Sequence, residues 1–226
     1  MQLPIFIEND ISWTCVLQLT DVLSDVPDPL NQPTALERMA QITPEDVCDR
    51  KEICHHIDKT FHQNHIRCQL YPFGSSLNGL GFRGCDLDLY LQTGLPHPRN
   101  VYETARILRT IPYLSHIQSI VSARVPIVKF IHKATGIACD ISFRNGMSNL
   151  NTEFIAIGVR TDPRIRPMFM TLRYWGKYYD LTGGGGMARI TNYAFTMLMF
   201  FYLQDIGLFH PVRVWQEART PEQCNP

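Results

Sequence analysis

The chain has 226 residues, 45% of them hydrophobic and 19% charged, a composition that supports a packed core and excludes general disorder. Net charge is zero, yet residues 1–65 hold four Lys/Arg against eleven Asp/Glu, while residues 66–226 hold seventeen against ten. A polyanion partner is therefore not excluded: twelve basic and four acidic residues lie from Arg99 to Lys177. A solvated surface explains the same spread equally well.

Residues 1–10 carry no basic stretch ahead of an apolar one, so no secretory signal is read there. Residues 1–43 read as irregular, because Pro27, Pro29 and Pro33 interrupt any long element. Thr43-Pro44-Glu45-Asp46 supplies an N-cap, a proline at the first helical position and an acidic first turn. A helix is predicted over 44–63, with Val47, Cys54, Ile57 and Phe61 on its apolar face. Cys48, Cys54, His55, His62, His65 and Cys68 crowd the same stretch, but their spacing fits no usual zinc pattern. The seven cysteines are odd in number and include no CxxC, which fits a reduced compartment better than a disulfide framework.

Residues 66–71 alternate like a strand, 73–76 read as a turn, and 86–92 as a second strand. A helix over 99–110 and strands over 117–123, 126–132 and 136–143 follow. From residue 151 the pattern becomes helical, with Met168, Leu172, Trp175 and Tyr179 predicted as a buried stripe. Gly183–Gly186 is a loop, and Met187-Ala188 after it rules out a Walker loop. Thr191 or Asn192 caps the last helix. Its apolar run, Tyr193 to Leu203, is too short to cross a bilayer core of about 30 Å and reads as a buried helix; no membrane partner is expected. The predicted fold class is α/β: a small mixed sheet with helices on one side, followed by a helical unit. The predicted division is an irregular segment over 1–43, a catalytic domain over 44–150 and a partial helical domain over 151–226.

The stretch from Phe73 to Tyr90 carries the chemistry. Alternation along a strand points Asp86 and Asp88 one way and Leu87, Leu89 and Leu91 the other. Adjacent carboxylates repel unless a cation lies between them, and hard divalent ions suit oxygen ligands. Upstream, Gly74 and Ser75 form a tight turn whose backbone a phosphate can approach. A phosphate cradle eleven residues ahead of a carboxylate pair points to a metal-bound nucleoside triphosphate.

The order Gly-Ser, about ten residues, then Asp-x-Asp resembles the DNA polymerase β-like nucleotidyltransferases. The fuller text, Pro72-Phe-Gly-Ser-Ser-Leu-Asn-Gly79 with Gly84-Cys-Asp-Leu-Asp-Leu89, is similar to the template-independent RNA terminal transferases, that is, mitochondrial poly(A) polymerases and terminal uridylyltransferases. Arg124-Val-Pro-Ile-Val-Lys-Phe130, Cys139-Asp-Ile-Ser142 and Ile190-Thr-Asn-Tyr-Ala-Phe-Thr196 agree, and Ile190-Thr-Asn192 leans toward the mitochondrial poly(A) polymerases.

The resemblance implies transfer of a nucleotide from ATP, or alternatively UTP, to an RNA 3′ end, with two Mg²⁺ or Mn²⁺ ions held by Asp86, Asp88 and Asp140. It implies that Gly74 and Ser75 bind the triphosphate, Asn151 the ribose, Arg173 and Lys177 the outer phosphates, and Asn192 and Tyr193 phosphate and base. Arg173 stands where a lysine is common in the family. Arg83, Lys129 and Lys133 read as surface or RNA-backbone residues. A mitochondrial location is expected, with cytoplasm or nucleus as alternatives. The family's helical domain normally continues past the point matching Pro226, so a fragment, a short isoform or a protein without base selection is expected. Two other readings stay open: a non-catalytic RNA-binding relative, and a transferase acting on a small acceptor.

Overall fold

A computed structural model describes residues 23–143, 147–183 and 190–210. Two units are distinguished, one spanning Ala40–Ala156, the other with its described residues inside Leu19–Met39 and Ile157–Pro226.

The first described element departs from expectation. After a short 3₁₀ turn at Pro29–Asn31, residues Gln32–Ala40 form helix α1 rather than irregular chain. Pro33 does not prevent it, because a proline in the first turn removes an N–H that would have no helical partner. The rest of the 1–43 expectation, residues 1–22, lies outside the described residues.

Helix α2 (Pro44–Gln63) starts as its sequence dictates. Thr43 accepts from the Asp46 N–H, and Asp46 accepts from the Thr43 N–H at 2.8 Å, a reciprocal cap worth about 1 kcal/mol. Its buried face differs from the predicted one. Arg50, Ile53, Ile57 and Phe61 are buried, while Val47 is exposed. Strands β1 (Cys68–Phe73), β2 (Leu87–Thr93), β3 (Leu114–Ile120), β4 (Ile127–His132) and β5 (Ala138–Ser142) form one mixed sheet in the order β1-β2-β5-β4-β3. Only β2 and β5 are parallel.

Leu87, Leu89, Leu91, Val128, Phe130, Cys139 and Ile141 form one hydrophobic cluster with Ile53, Ile57 and Phe61 of α2 and with Val101, Ala105 and Leu108 of helix α3 (Arg99–Leu108). Each fully buried aliphatic or aromatic side chain there contributes about 1.5–3 kcal/mol. Truncating Phe130, which is 1% exposed, would cost about 3–5 kcal/mol. With that face committed to the core, alternation turns every second residue to the other face, where the polar groups lie.

Helix α4 (Ser148–Thr161) contains the division between the units. In the second unit, helix α5 (Ile165–Tyr178) packs Phe169 edge-on against Phe200 of helix α6 (Asn192–Asp205), ring centres 4.7 Å apart. Arg166 of α5 pairs with Glu37 of α1 at 2.9 Å. The α5 stripe is corrected: Ile165, Phe169, Met170, Arg173 and Tyr174 are buried, whereas Trp175 and Tyr179 are exposed. Helix α6 buries Thr196, Met199, Phe200 and Leu203, while Leu198, Phe201 and Tyr202 are exposed, so its apolar run is buried on one side rather than all round. No helix among the described residues is long and apolar enough to cross a membrane.

Candidate functional site

The sheet register lines up one row of side chains. Phe73 is the cross-strand partner of Asp88, Asp88 of Asp140, and Asp140 of Lys129. Partners in register share a face, so two carboxylates and an ammonium stand side by side opposite the core. Lys129 Nζ lies 2.6 Å from Asp140 Oδ2. Burial pushes the Asp88 carboxyl up to about 7; repulsion from Asp86 and then Asp140 adds to this, and Lys129 partly offsets it. Asp86 is exposed and precedes the ladder, because β2 begins at Leu87, but its charge still reaches Asp88.

The turn entering this row is held from three sides. Gly74 begins a 3₁₀ turn, Gly74–Ser76, with φ of +75°. Glycine is required there twice over: the backbone is left-handed, and a Cβ would lie 2.4 Å from Asp88 Oδ2. The Gly74 N–H donates to Thr152 Oγ1 at 2.8 Å, and that hydroxyl donates to the Ser148 carbonyl at 2.7 Å. The first turn of α4, and Asn151 with it, is thereby tied to the glycine turn. Ser75 and Asn151 are both half-buried.

Arg50, only 5% exposed, is the third tie. It donates to Ser76 Oγ at 3.2 Å, to the Cys85 carbonyl at 2.7 Å and to the Asp46 carbonyl at 3.1 Å. Ser76 Oγ in turn donates to the Asp86 carbonyl at 3.1 Å. One guanidinium therefore joins α2, the glycine turn and the residues that lead into the carboxylates. Sequence reasoning missed Arg50 and Thr152. A charged residue in step with Ile53, Ile57 and Phe61 was the available signal for Arg50.

The cations left open by the sequence have partners within the chain. Lys129 pairs with Asp140. Lys133 donates to the Pro112 carbonyl, and Arg83 Nε lies 3.7 Å from Asp46 Oδ2.

Arg173, Lys177, Asn192 and Tyr193 belong to the second unit. Arg173 is 7% exposed, and Lys177, one turn later, is half-buried. Asn192 and Tyr193 are exposed at the start of α6, where Thr191 Oγ1 accepts from the Ala194 N–H at 3.2 Å. Thr191, not Asn192, is the cap.

Among the described residues no three acid, histidine or cysteine side chains are already gathered as a metal-ligand group. The donor chemistry nonetheless fits a hard divalent cation. Asp86, Asp88 and Asp140 offer only oxygen, and their mutual repulsion raises Asp88, a cost that a cation would relieve.

The family described as poly(A) RNA polymerase, mitochondrial-like, central palm domain, matches residues 31–159. The chain belongs to that family. It is 28% identical over 215 residues to the mitochondrial poly(A) RNA polymerase of Mus musculus, covering 83% of this chain and 37% of the relative. It is 34% identical over 163 residues to terminal uridylyltransferase 7 of Homo sapiens, covering 69% of this chain and 11% of the relative. A crystal structure of mtPAP in complex with UTP superposes with a TM-score of 0.75 at 27% identity, covering 90% of this chain and 48% of that one. The polymerase β-like α/β fold that the motif implied is thus the fold found, and the chain spans less than half the length of these relatives.

Proposed function

We propose that this chain carries the catalytic unit of an RNA 3′-terminal nucleotidyltransferase that adds AMP from ATP and releases pyrophosphate. The observation that carries the reading is the register of Asp88 with Asp140, with the Gly74 turn pressed against Asp88, in a chain of the poly(A) polymerase palm family.

In this reading the RNA 3′ oxygen bonds to the α-phosphorus, the bond from that phosphorus to the β-phosphate oxygen breaks, and the hydroxyl proton passes to solvent. Asp86, Asp88 and Asp140 would hold Mg²⁺ or Mn²⁺, which lowers the pKa of a bound hydroxyl and neutralises phosphate charge. Gly74 and Ser75 present backbone to the triphosphate. Thr152 and Arg50 keep that turn at a fixed distance from the carboxylates, and such preorganisation is where phosphoryl transfer gains most. Asn151 meets the ribose, Arg173 and Lys177 the outer phosphates, and Asn192 with Tyr193 phosphate and base. An RNA substrate accords with the basic stretch from Arg99 to Lys177.

Addition of UMP is the second reading, supported by the match to a terminal uridylyltransferase and to mtPAP crystallised with UTP. The match to a mitochondrial relative favours a mitochondrial location, which imaging of the tagged protein in cells would test.

The test is incubation with end-labelled RNA, each NTP in turn, and Mg²⁺ or Mn²⁺. Stepwise lengthening with ATP, lost in Asp86→Ala and Asp140→Ala proteins that still fold, supports the proposal. Lengthening with UTP alone selects the second reading. Lengthening that survives both substitutions refutes the site.

A further inference from the structure

Lys129 is the direct β-ladder partner of Asp140, and its Nζ sits 2.6 Å from Asp140 Oδ2 on the face that carries Asp88. The lysine side chain is 44% exposed and the aspartate 24%, so the ammonium can leave without tearing the core. A lysine is a compact point charge on a flexible four-carbon stem, suited to being exchanged for another cation. Its neighbours in strand β4, Val128 and Phe130, are buried on the opposite face, which fixes the side on which Lys129 emerges. Gln118 of β3, its other ladder partner, is neutral. The charges in this row are therefore Asp88, Asp140 and Lys129, with Asp86 just ahead of it.

We propose that Lys129 is the resident counter-ion of the carboxylate row and competes with a divalent cation for Asp140, so that this one side chain sets the affinity of the site for metal. The inference rests on the metal reading above. Two consequences separate it from a purely structural ion pair. Removing the charge should tighten metal binding although it weakens the metal-free protein. Metal binding should also release the ammonium.

Mn²⁺ binding, followed by the loss of its free-ion electron paramagnetic resonance signal, tests the first. Lys129→Met should bind Mn²⁺ about tenfold more tightly than the unsubstituted chain, the effect of deleting one nearby positive charge at a partly solvated site. Lys129→Arg, which keeps the charge, should stay within about twofold. The melting temperature of Lys129→Met should fall without metal and rise more steeply with added Mn²⁺. Unchanged or weaker Mn²⁺ binding in a folded Lys129→Met protein overturns the proposal and makes the lysine a positioning group for Asp140.

The second test needs no variant. Acetylation of Lys129 by acetic anhydride, read by peptide mapping, should rise several-fold when Mn²⁺ is added to the unsubstituted chain. A flat labelling level despite measured Mn²⁺ binding overturns the proposal. If the unsubstituted chain binds no Mn²⁺ at all, the metal reading itself falls and this inference falls with it.

Discussion

Replacing Gly74 by alanine separates the two demands the structure makes on that residue. The first is conformational: at φ of +75° an alanine costs about 1–2 kcal/mol more than glycine. The second is contact: the new Cβ would lie 2.4 Å from Asp88 Oδ2 and 3.3 Å from Asp88 Cγ. The nearest atom is the tip of a side chain, so the carboxylate can rotate away at about 0.5–1.5 kcal/mol. The total stability loss should be about 1.5–3.5 kcal/mol. Rotation, however, takes Asp88 out of its row with Asp140, and a displacement of about 1 Å in a reacting group costs about a hundredfold in rate. Gly84 is the control. Its φ is +74°, and a Cβ there meets nothing within 4 Å, so Gly84→Ala carries the conformational cost alone. Urea denaturation and RNA extension would be measured on both proteins. Both should lose stability, but only Gly74→Ala should lose about a hundredfold in extension. Comparable extension rates in the two variants would refute the claim that the turn and Asp88 are mutually fitted.

Three further outcomes follow from the same geometry. Asp88 titrates near 7 when folded against about 4 when unfolded, so the folded state holds the extra proton between those values; metal-free stability should be fully present below pH 4 and fall by roughly 2–4 kcal/mol as pH rises through 7. Asp88→Asn should flatten that slope in denaturation measured across the window. Arg50→Met should cost about 2–4 kcal/mol, because it leaves Ser76 Oγ and the Cys85 carbonyl without their donor, and should raise KM for the NTP more than Arg50→Lys does. Asn151→Ala should narrow the preference for NTP over dNTP by roughly ten- to a hundredfold, since an amide left without its sugar-hydroxyl partner by a dNTP costs about 1–3 kcal/mol; an unchanged ratio in competition assays would remove Asn151 from the sugar site.

The features legible in the sequence were those written in consecutive residues. The cap at Thr43–Asp46 marked the start of α2 because capping is local chemistry, and alternation around Leu87, Leu89 and Leu91 separated core from polar face for the same reason. What depended on neighbours distant in the chain was not legible. Lys129 lies eleven residues from Asp140, and no strand pattern says that β4 and β5 pair at those two residues. Arg50 reaches Ser76 and Cys85 across 26 and 35 residues. On α5 the helical repeat allowed two interleaved stripes. Met168, Leu172, Trp175 and Tyr179 satisfy it, and so do Ile165, Phe169 and Arg173. The contact of Phe169 with Phe200 favours the second, and the hydrophobicity of Trp175 could not reveal that.

The most direct test of terminal transfer by this chain is a single-turnover reaction with a chain-terminating 3′-deoxy-ATP, using RNA that ends in a free 3′-hydroxyl and the same RNA with that hydroxyl blocked. The predicted result is extension of the free RNA by one residue, one pyrophosphate released per RNA extended, and no product from the blocked RNA. Release of pyrophosphate or phosphate at the same rate with blocked RNA, or with no RNA, would show that the acceptor is not an RNA 3′ end and would contradict the account.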